Sequence, residues 1–428
     1  MFSTIRGIHL TLYSGKKLAI LRQNLKLSQN QLANHLHISR SYLSNLETTN
    51  NLLSESMVLT LSNFFNISPK FFENSREDPY ISQYFTLFSN KLFKNDLEDL
   101  NDLIKILEAP IYNLNQEFNV NLLLASYYFK IHDYPKALAM RDKFLNYLFE
   151  DLDIDKLSND SKKFYYFYLI EMNVYLSQFN EGFEASQQLN KLLTDKTEVI
   201  ALRLTQVYLQ YKDNHFETAF LSIQELMTSL KTMENDSLLA EGYTYLSTIC
   251  ISFKLYNYAI ESLEELELCA NRNNFIERKA MSYQQRGYIY SKLKDYSNAL
   301  IYHKKALELM ENSHRKIPLI ISIITNNICL KNYNEAKLYL ACANDYPLSQ
   351  YEKMILLAYK GELALYEGNI KFHKKYYEES LAYFLKHKYI HNLSYVFGYL
   401  ANYYYQKNKY KKAAEFYKRK ENLNYEET

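Results

Sequence analysis

Arg40, Ser41, Tyr42, Ser44 and Asn45 place a guanidinium, three hydroxyls and a carboxamide within one short stretch, and Leu43 and Leu46 run through it at i, i+3 spacing. On a helix that spacing buries the two leucines and turns the polar groups outward. An arginine fork, a carboxamide and hydroxyls are the groups that hydrogen-bond base edges in the major groove, which a helix fits. Other chemistries are poorly served. His387 and His391 stand at i, i+4, but no Glu follows the first in HExxH fashion and no third ligand is evident, so no metal is expected. Glu261, Glu264, Glu265 and Glu267 alternate with apolar residues and read as the solvated face of a helix. The glycine patterns of dinucleotide, P-loop and nucleophile-elbow sites are missing, and neither a catalytic set nor a cofactor is expected.

The elements that must position Arg40 and its neighbours are legible upstream. Ser28 and Gln31 form a capping box that opens a first helix, with Leu32, Ala33 and Leu36 on one face. His37 sits at a turn, and Ser39 caps the second helix. Leu27-Ser28-Gln29, Leu32-Ala33, Ile38-Ser39, Leu43-Ser44 and Leu46-Glu47 together resemble the helix-turn-helix of the Cro and phage-repressor type, over about Ser14 to Phe72. The resemblance implies a five-helix DNA-binding domain in which Gln29 lies beside the DNA backbone, Arg40, Ser41 and Asn45 face base edges, and Arg22 pairs with Glu47. The sequence departs from that pattern at His37, where Gly is usual, and at Thr48-Thr49-Asn50-Asn51, where Gly-Lys/Arg is usual. The DNA-binding set expected is Gln29, Ser39, Arg40, Ser41, Tyr42, Ser44 and Asn45.

Charge is distributed accordingly. Residues 1–66 hold six Lys and Arg against Glu47 and Glu55, a balance of +4, while the whole chain carries +2. The basic surplus sits in the head, as attraction to phosphate requires. With only 8 Gly and 6 Pro in 428 residues, an almost wholly helical chain of more than one domain is expected. Cys250, Cys269, Cys329 and Cys342 form no CxxC pair and read as buried reduced thiols, which fits a cytoplasmic protein. Residues 1–13 read as an extension that either supplies a DNA-contacting arm through Arg6 or frays, and not as a signal peptide. No run approaches the ~18 apolar residues of a membrane span.

After the head (14–72) and a polar linker (73–79), residues 80–428 repeat. The aromatics Tyr134, Phe179, Phe216, Tyr256, Tyr296, Tyr333 and Tyr410 are separated by 45, 37, 40, 40, 37 and 77 residues, the last step spanning a degenerate copy around Gly361 to Ile370. In the best copy Tyr283, Gly287, Tyr290, Tyr296, Ala299 and Ala306 resemble the tetratricopeptide pattern. The fold expected is all-α: the head, then about eight or nine helix pairs stacked as a right-handed tetratricopeptide-like solenoid. Counting by the tetratricopeptide convention puts Glu171, Tyr175, Tyr208, Tyr211, Thr244, Thr248, Gln284, Tyr288, Thr325, Glu362 and Asn402 on the inner wall. With the amides of Asn173 and Asn326, these are the groups expected to hold an extended peptide.

A phage-repressor-type head on such an array is similar to the cytoplasmic peptide-pheromone receptors of Gram-positive bacteria, the Rgg, PlcR, PrgX, NprR and Rap family, and looks most like the NprR arrangement. The resemblance implies a DNA-binding homodimer on double-stranded operator DNA, controlled by a short signalling peptide held in the array. It leaves open an array that docks a protein instead, including a response regulator.

Overall fold

A computed structural model describes residues 14–48, 53–72, 77–97, 99–111, 113–149, 152–310 and 313–425. Among them the regular structure is helical throughout, without strands. The chain forms two compact units, Met1–Tyr245 and Leu246–Thr428.

The first unit begins with α1 (Ser14–Asn24), α2 (Gln29–His35), α3 (Arg40–Thr48) and α4 (Glu55–Phe65). Leu18, Leu32, Ala33, Leu36, Leu43, Leu46, Leu53, Leu61 and Phe72 make their common core. One detail differs from expectation: the fifth helix is only a 3-10 turn, Pro69–Phe72. Leu25 is 55% exposed, since α1 ends at Asn24 and the left-handed Lys26, φ 56°, swings the chain away.

Next come α5 (Pro79–Phe93), α6 (Asn101–Leu107) and then helices in pairs. In the first unit α7 (Leu114–Lys130) pairs with α8 (Tyr134–Met140), which runs through the π-helical Arg141–Leu145 into α9 (Asn146–Phe149). The pairs α10 (Asn159–Leu176) with α11 (Phe179–Asn190) and α12 (Lys196–Lys212) with α13 (Phe216–Thr232) follow. The unit boundary falls inside α14 (Asp236–Ser252), whose partner is α15 (Tyr256–Asn273). The second unit continues with α16 (Ile276–Lys292) and α17 (Tyr296–Leu309), then α18 (Ser313–Cys329) and α19 (Tyr333–Cys342). It closes with α20 (Gln350–Tyr366) and α21 (Ile370–His387), then α22 (Ile390–Gln406) and α23 (Tyr410–Tyr425).

Every recurrent aromatic is the first residue of a second helix, and the degenerate copy has Ile370 there instead. One turn serves all the pairs. Two residues ahead of each second helix stands a residue with positive φ: His132, Ser177, Asn214, Lys254, Lys294, Lys331, Gly368 and Asn408. The next N–H closes a bond to the carbonyl five residues back, from Asp133 to Tyr128, Asp295 to Tyr290 and Asn369 to Ala364 among others, at 2.8 to 2.9 Å. This is the Schellman closure, which satisfies carbonyls left open at a helix end. Glycine fills the left-handed position only at Gly368, so the scarcity of glycine in the composition conceals the turn.

The head is fastened to the repeats that follow it in the same unit. Lys17 of α1 is 3% exposed; its ammonium lies 3.0 Å from the Glu117 carboxylate of α7 and donates to the Ile111 carbonyl at 3.3 Å. Asn24 donates to the Lys143 carbonyl at 3.0 Å, and Ile20 joins the apolar cluster of α5, α7 and α10. Of the four cysteines, Cys250 and Cys269 are buried as expected, whereas Cys329, the last residue of α18, is exposed and Cys342, the last of α19, is half-buried.

Candidate functional site

The capping box forms as the sequence implies: Ser28 Oγ accepts from the Gln31 N–H at 3.2 Å, and Gln31 Oε1 accepts from the Ser28 N–H at 2.8 Å. His37 takes the left-handed conformation, φ 55°, that makes the tight turn between α2 and α3. Ser39 Oγ then accepts from the Tyr42 N–H at 3.1 Å and caps α3.

A buried clamp sets the pose of α3. Arg22 Nε and Nη2 donate to the two oxygens of Glu47 at 2.6 and 2.8 Å, Arg22 Nη1 donates to the Leu27 carbonyl at 2.8 Å, and Gln29 Nε2 donates to Glu47 at 3.0 Å. The bidentate fork joins α1 to α3, and Gln29 adds α2. Ser39, Arg40, Ser41, Tyr42 and Asn45 are exposed together on the outer face of α3, while Ser44 is half-buried with its carbonyl taken by the Thr48 hydroxyl at 2.7 Å. Gln29 is half-buried, with its amide committed to the clamp.

The charge count of the head needs correction. Lys17 and Arg22 are buried in ion pairs with Glu117 and Glu47, so two of its six cations do not face solvent; Lys26 and Arg40 do. The proposed arm at Arg6 and the loop residues Thr49, Asn50 and Asn51 lie outside the described residues.

The polar residues expected on the inner wall are engaged in several ways. In the first unit Glu171 is buried, 3.4 Å from the Lys130 ammonium, and Asn173 is buried against Gly182. Tyr175 packs between Phe129 and Tyr134, with ring centroids at 5.3 and 4.7 Å. Tyr208 lies 6.0 Å from Tyr245, Tyr211 packs on Phe216 at 5.5 Å, and Thr244 donates to the Ala240 carbonyl of its own helix. A polar cleft of about 410 Å³ opens beside α5, lined by Ser82, Ser89, Gln116, Asn119, Lys163 and Phe164 among others.

In the second unit the same class of residue forms a ladder between successive first helices. Gln285 donates to Thr248 at 3.1 Å and accepts from Ser247 at 2.8 Å; Ser291 donates to Asn326 at 2.9 Å; Thr325 and Tyr359 share a bond of 2.7 Å; Tyr395 donates to Glu362 at 2.5 Å. Asn402 accepts from the Tyr417 hydroxyl of α23 at 2.6 Å. Gln284 is half-buried and Tyr288 exposed. The partners Gln285, Ser291, Tyr359 and Tyr395 escape a reading of one repeat at a time. Their signal is complementary donors and acceptors 33 to 38 residues apart, about one repeat length. No group of three or more His, Cys, Asp or Glu is arranged to hold a metal ion among the described residues, and no helix among them is long and apolar enough to cross a membrane.

A small helical head whose α3 exposes a polar face, carried on paired-helix repeats, defines the class: a helix-turn-helix protein with a tetratricopeptide-like array. Residues 15–73 match the model of a family described as helix-turn-helix domain, and the head belongs to that family. No curated protein matches the chain by sequence. Among solved structures, the apo form of the quorum sensor NprR from B. thuringiensis is similar over 80% of this chain and 98% of its own, at 13% identity and a TM-score of 0.61. The apo form of RapI is similar over 80% and 96%, at 14% identity and 0.58. A Rap protein complexed with competence and sporulation factor is similar over 82% and 99%, also at 14% and 0.58. The repeats thus share the fold of NprR and the Rap proteins.

Proposed function

We propose that this chain is a peptide-responsive transcriptional regulator of the Rgg, PlcR, PrgX, NprR and Rap group. In this reading the head binds operator DNA as part of a homodimer in the cytoplasm, and the repeats hold a short signalling peptide. The observation that carries it is the face of α3: Arg40, Ser41, Tyr42 and Asn45 stand exposed on a helix whose pose is set by the buried Arg22–Glu47–Gln29 clamp. A rigid recognition helix presents side chains to base edges without loss of geometry. The likeness of the array to NprR, a quorum sensor, and to a Rap protein complexed with competence and sporulation factor supports the signal-binding half. The attachment of α1 to α7 through Lys17 and Glu117 supplies a route by which the array acts on the head.

Footprinting on the DNA flanking the gene tests the DNA half. Arg40→Ala and Asn45→Ala are each expected to weaken binding by ~1 to 3 kcal/mol and to relax preference at one base pair per half-site. Protection of a pseudo-palindrome with half-sites one or more whole helical turns apart is expected of a two-fold dimer. Wild-type protection by both variants would overturn the assignment of α3. A second reading, docking of a response regulator on the array, is favoured by the likeness to aspartyl phosphate phosphatase F from Bacillus subtilis, with a TM-score of 0.53. A pull-down with response regulators separates it from the first.

A further inference from the structure

Glu362, on α20, differs from the other enclosed carboxylates of the array. Glu117, Glu171 and Glu267 each face a cation, Lys17, Lys130 and Arg286, at 3.0, 3.4 and 2.7 Å. Glu241 has both oxygens hydrogen-bonded, one by Tyr245 at 2.8 Å and the other by the Asn95 amide. Glu362 forms no ion pair among the described residues, and only its Oε2 is hydrogen-bonded, by the Tyr395 hydroxyl. Burial pushes its carboxyl above the ordinary carboxylate range, with the Tyr395 bond pulling the other way.

Around this carboxylate the fold gathers phenols. Gly361 lets Tyr377 of α21 pass close against α20: a Cβ at Gly361 would stand 2.6 Å from the Tyr377 ring. Tyr377 in turn stacks on Tyr399 of α22, centroids 4.5 Å apart and planes 4° from parallel. Both hydroxyls are buried without a hydrogen-bond partner, and Tyr377 is 2% exposed. Burial first, and then the Glu362 charge, raise the pKa of the two phenols, which places them in the field of the carboxylate. The constellation is therefore a half-buried carboxylate with one oxygen free of hydrogen bonds, beside two buried phenol hydroxyls without partners, and no Lys or Arg among the described residues pairs with it. Buried hydroxyls of this kind are costly to leave unmet. An ammonium or guanidinium supplies N–H donors and the missing charge together.

We propose that Glu362, with the hydroxyls of Tyr377, Tyr395 and Tyr399, is a subsite for a cationic side chain, and that the signalling peptide carries a lysine or arginine there. The second half rests on the peptide reading above. The site is assembled by three helices, so it forms only when the last two pairs are stacked.

The test uses the full chain and two probes. In ligand-observed NMR titrations, n-butylammonium and n-butylguanidinium are expected to bind the wild type about tenfold or more tightly than Glu362→Gln, with Tyr377→Phe in between and n-butanol indifferent to both changes. Equal affinity of the cations for wild type and Glu362→Gln would overturn the subsite. The second probe is a set of pooled acetylated hexapeptides with lysine or arginine at one fixed position, against pools with norleucine or citrulline. Selection of the cationic pools by wild type and not by Glu362→Gln is the result expected. Pools that bind the wild type without that selection would overturn the subsite and leave the peptide reading standing. Cation binding that depends on Glu362, with no pool bound at all, would overturn the peptide reading instead.

Discussion

Glu47→Ala is the substitution that most directly tests how the head holds α3. Glu47 is 7% exposed and accepts two bonds from Arg22 and one from Gln29; Arg22 is itself 8% exposed. Removing the carboxylate leaves a buried guanidinium without its counter-charge, a loss of about 3–5 kcal/mol. A domain the size of the head, at about 0.05–0.15 kcal/mol per residue, has only about 3–9 kcal/mol in total. The substitution is thus expected to bring the head to the edge of unfolding while α16 and α17 stay folded. Hydrogen exchange read by mass spectrometry on the full chain resolves this: amides of α1 and α3 should exchange about two to four orders of magnitude faster, and those of the second unit at the wild-type rate. Replacing both partners, Arg22→Met with Glu47→Leu, should restore much of the protection, because an apolar pair leaves no buried charge. Unchanged exchange of α3 in Glu47→Ala would refute the clamp. A double variant no better than the single one would show that packing, not charge, holds α3.

Other outcomes are equally specific. His37→Gly should slow exchange across α2 and α3, with a gain of about 0.5–1 kcal/mol, because a left-handed His is strained and Gly is not. Gly361→Ala should destabilise the second unit by about 1–3 kcal/mol, measured by urea-dependent exchange, since its Cβ would meet Tyr377 at 2.6 Å. His303 is 2% exposed, and burial holds its pKa down from 6.5 to about 4. The unfolded chain binds the proton first, so this stability is fully present above about pH 6.5 and is lost as pH falls toward 4, by about 3 kcal/mol. His303→Leu should flatten that part of the pH profile of the second unit; an unaltered profile would show that His303 is not the group responsible.

The sequence by itself determined the architecture, because local signals coincide there with the fold. Ser28 with Gln31, Ser39, and the leucines at i, i+3 place α2 and α3 without reference to anything distant. The recurring aromatic does the same for the second helix of each pair, since a helix start is set by the turn before it. What only the tertiary structure decided is which side chains are available. Lys17 and Glu117 are a hundred residues apart and read as two surface charges until α1 lies on α7. Asn326, Thr248 and Glu362 have the chemistry of ligand contacts, but their partners Ser291, Gln285 and Tyr395 come from the neighbouring repeat, so stacking decides which polar atoms are already satisfied. Glu362 keeps an open oxygen for the same reason: Gly361 lets Tyr377 in beside it, Tyr395 meets only one of its oxygens, and no Lys or Arg among the described residues pairs with it. Short-range spacing governs helices and caps, whereas the balance of buried charge and hydrogen bonding is a property of the contacts between them.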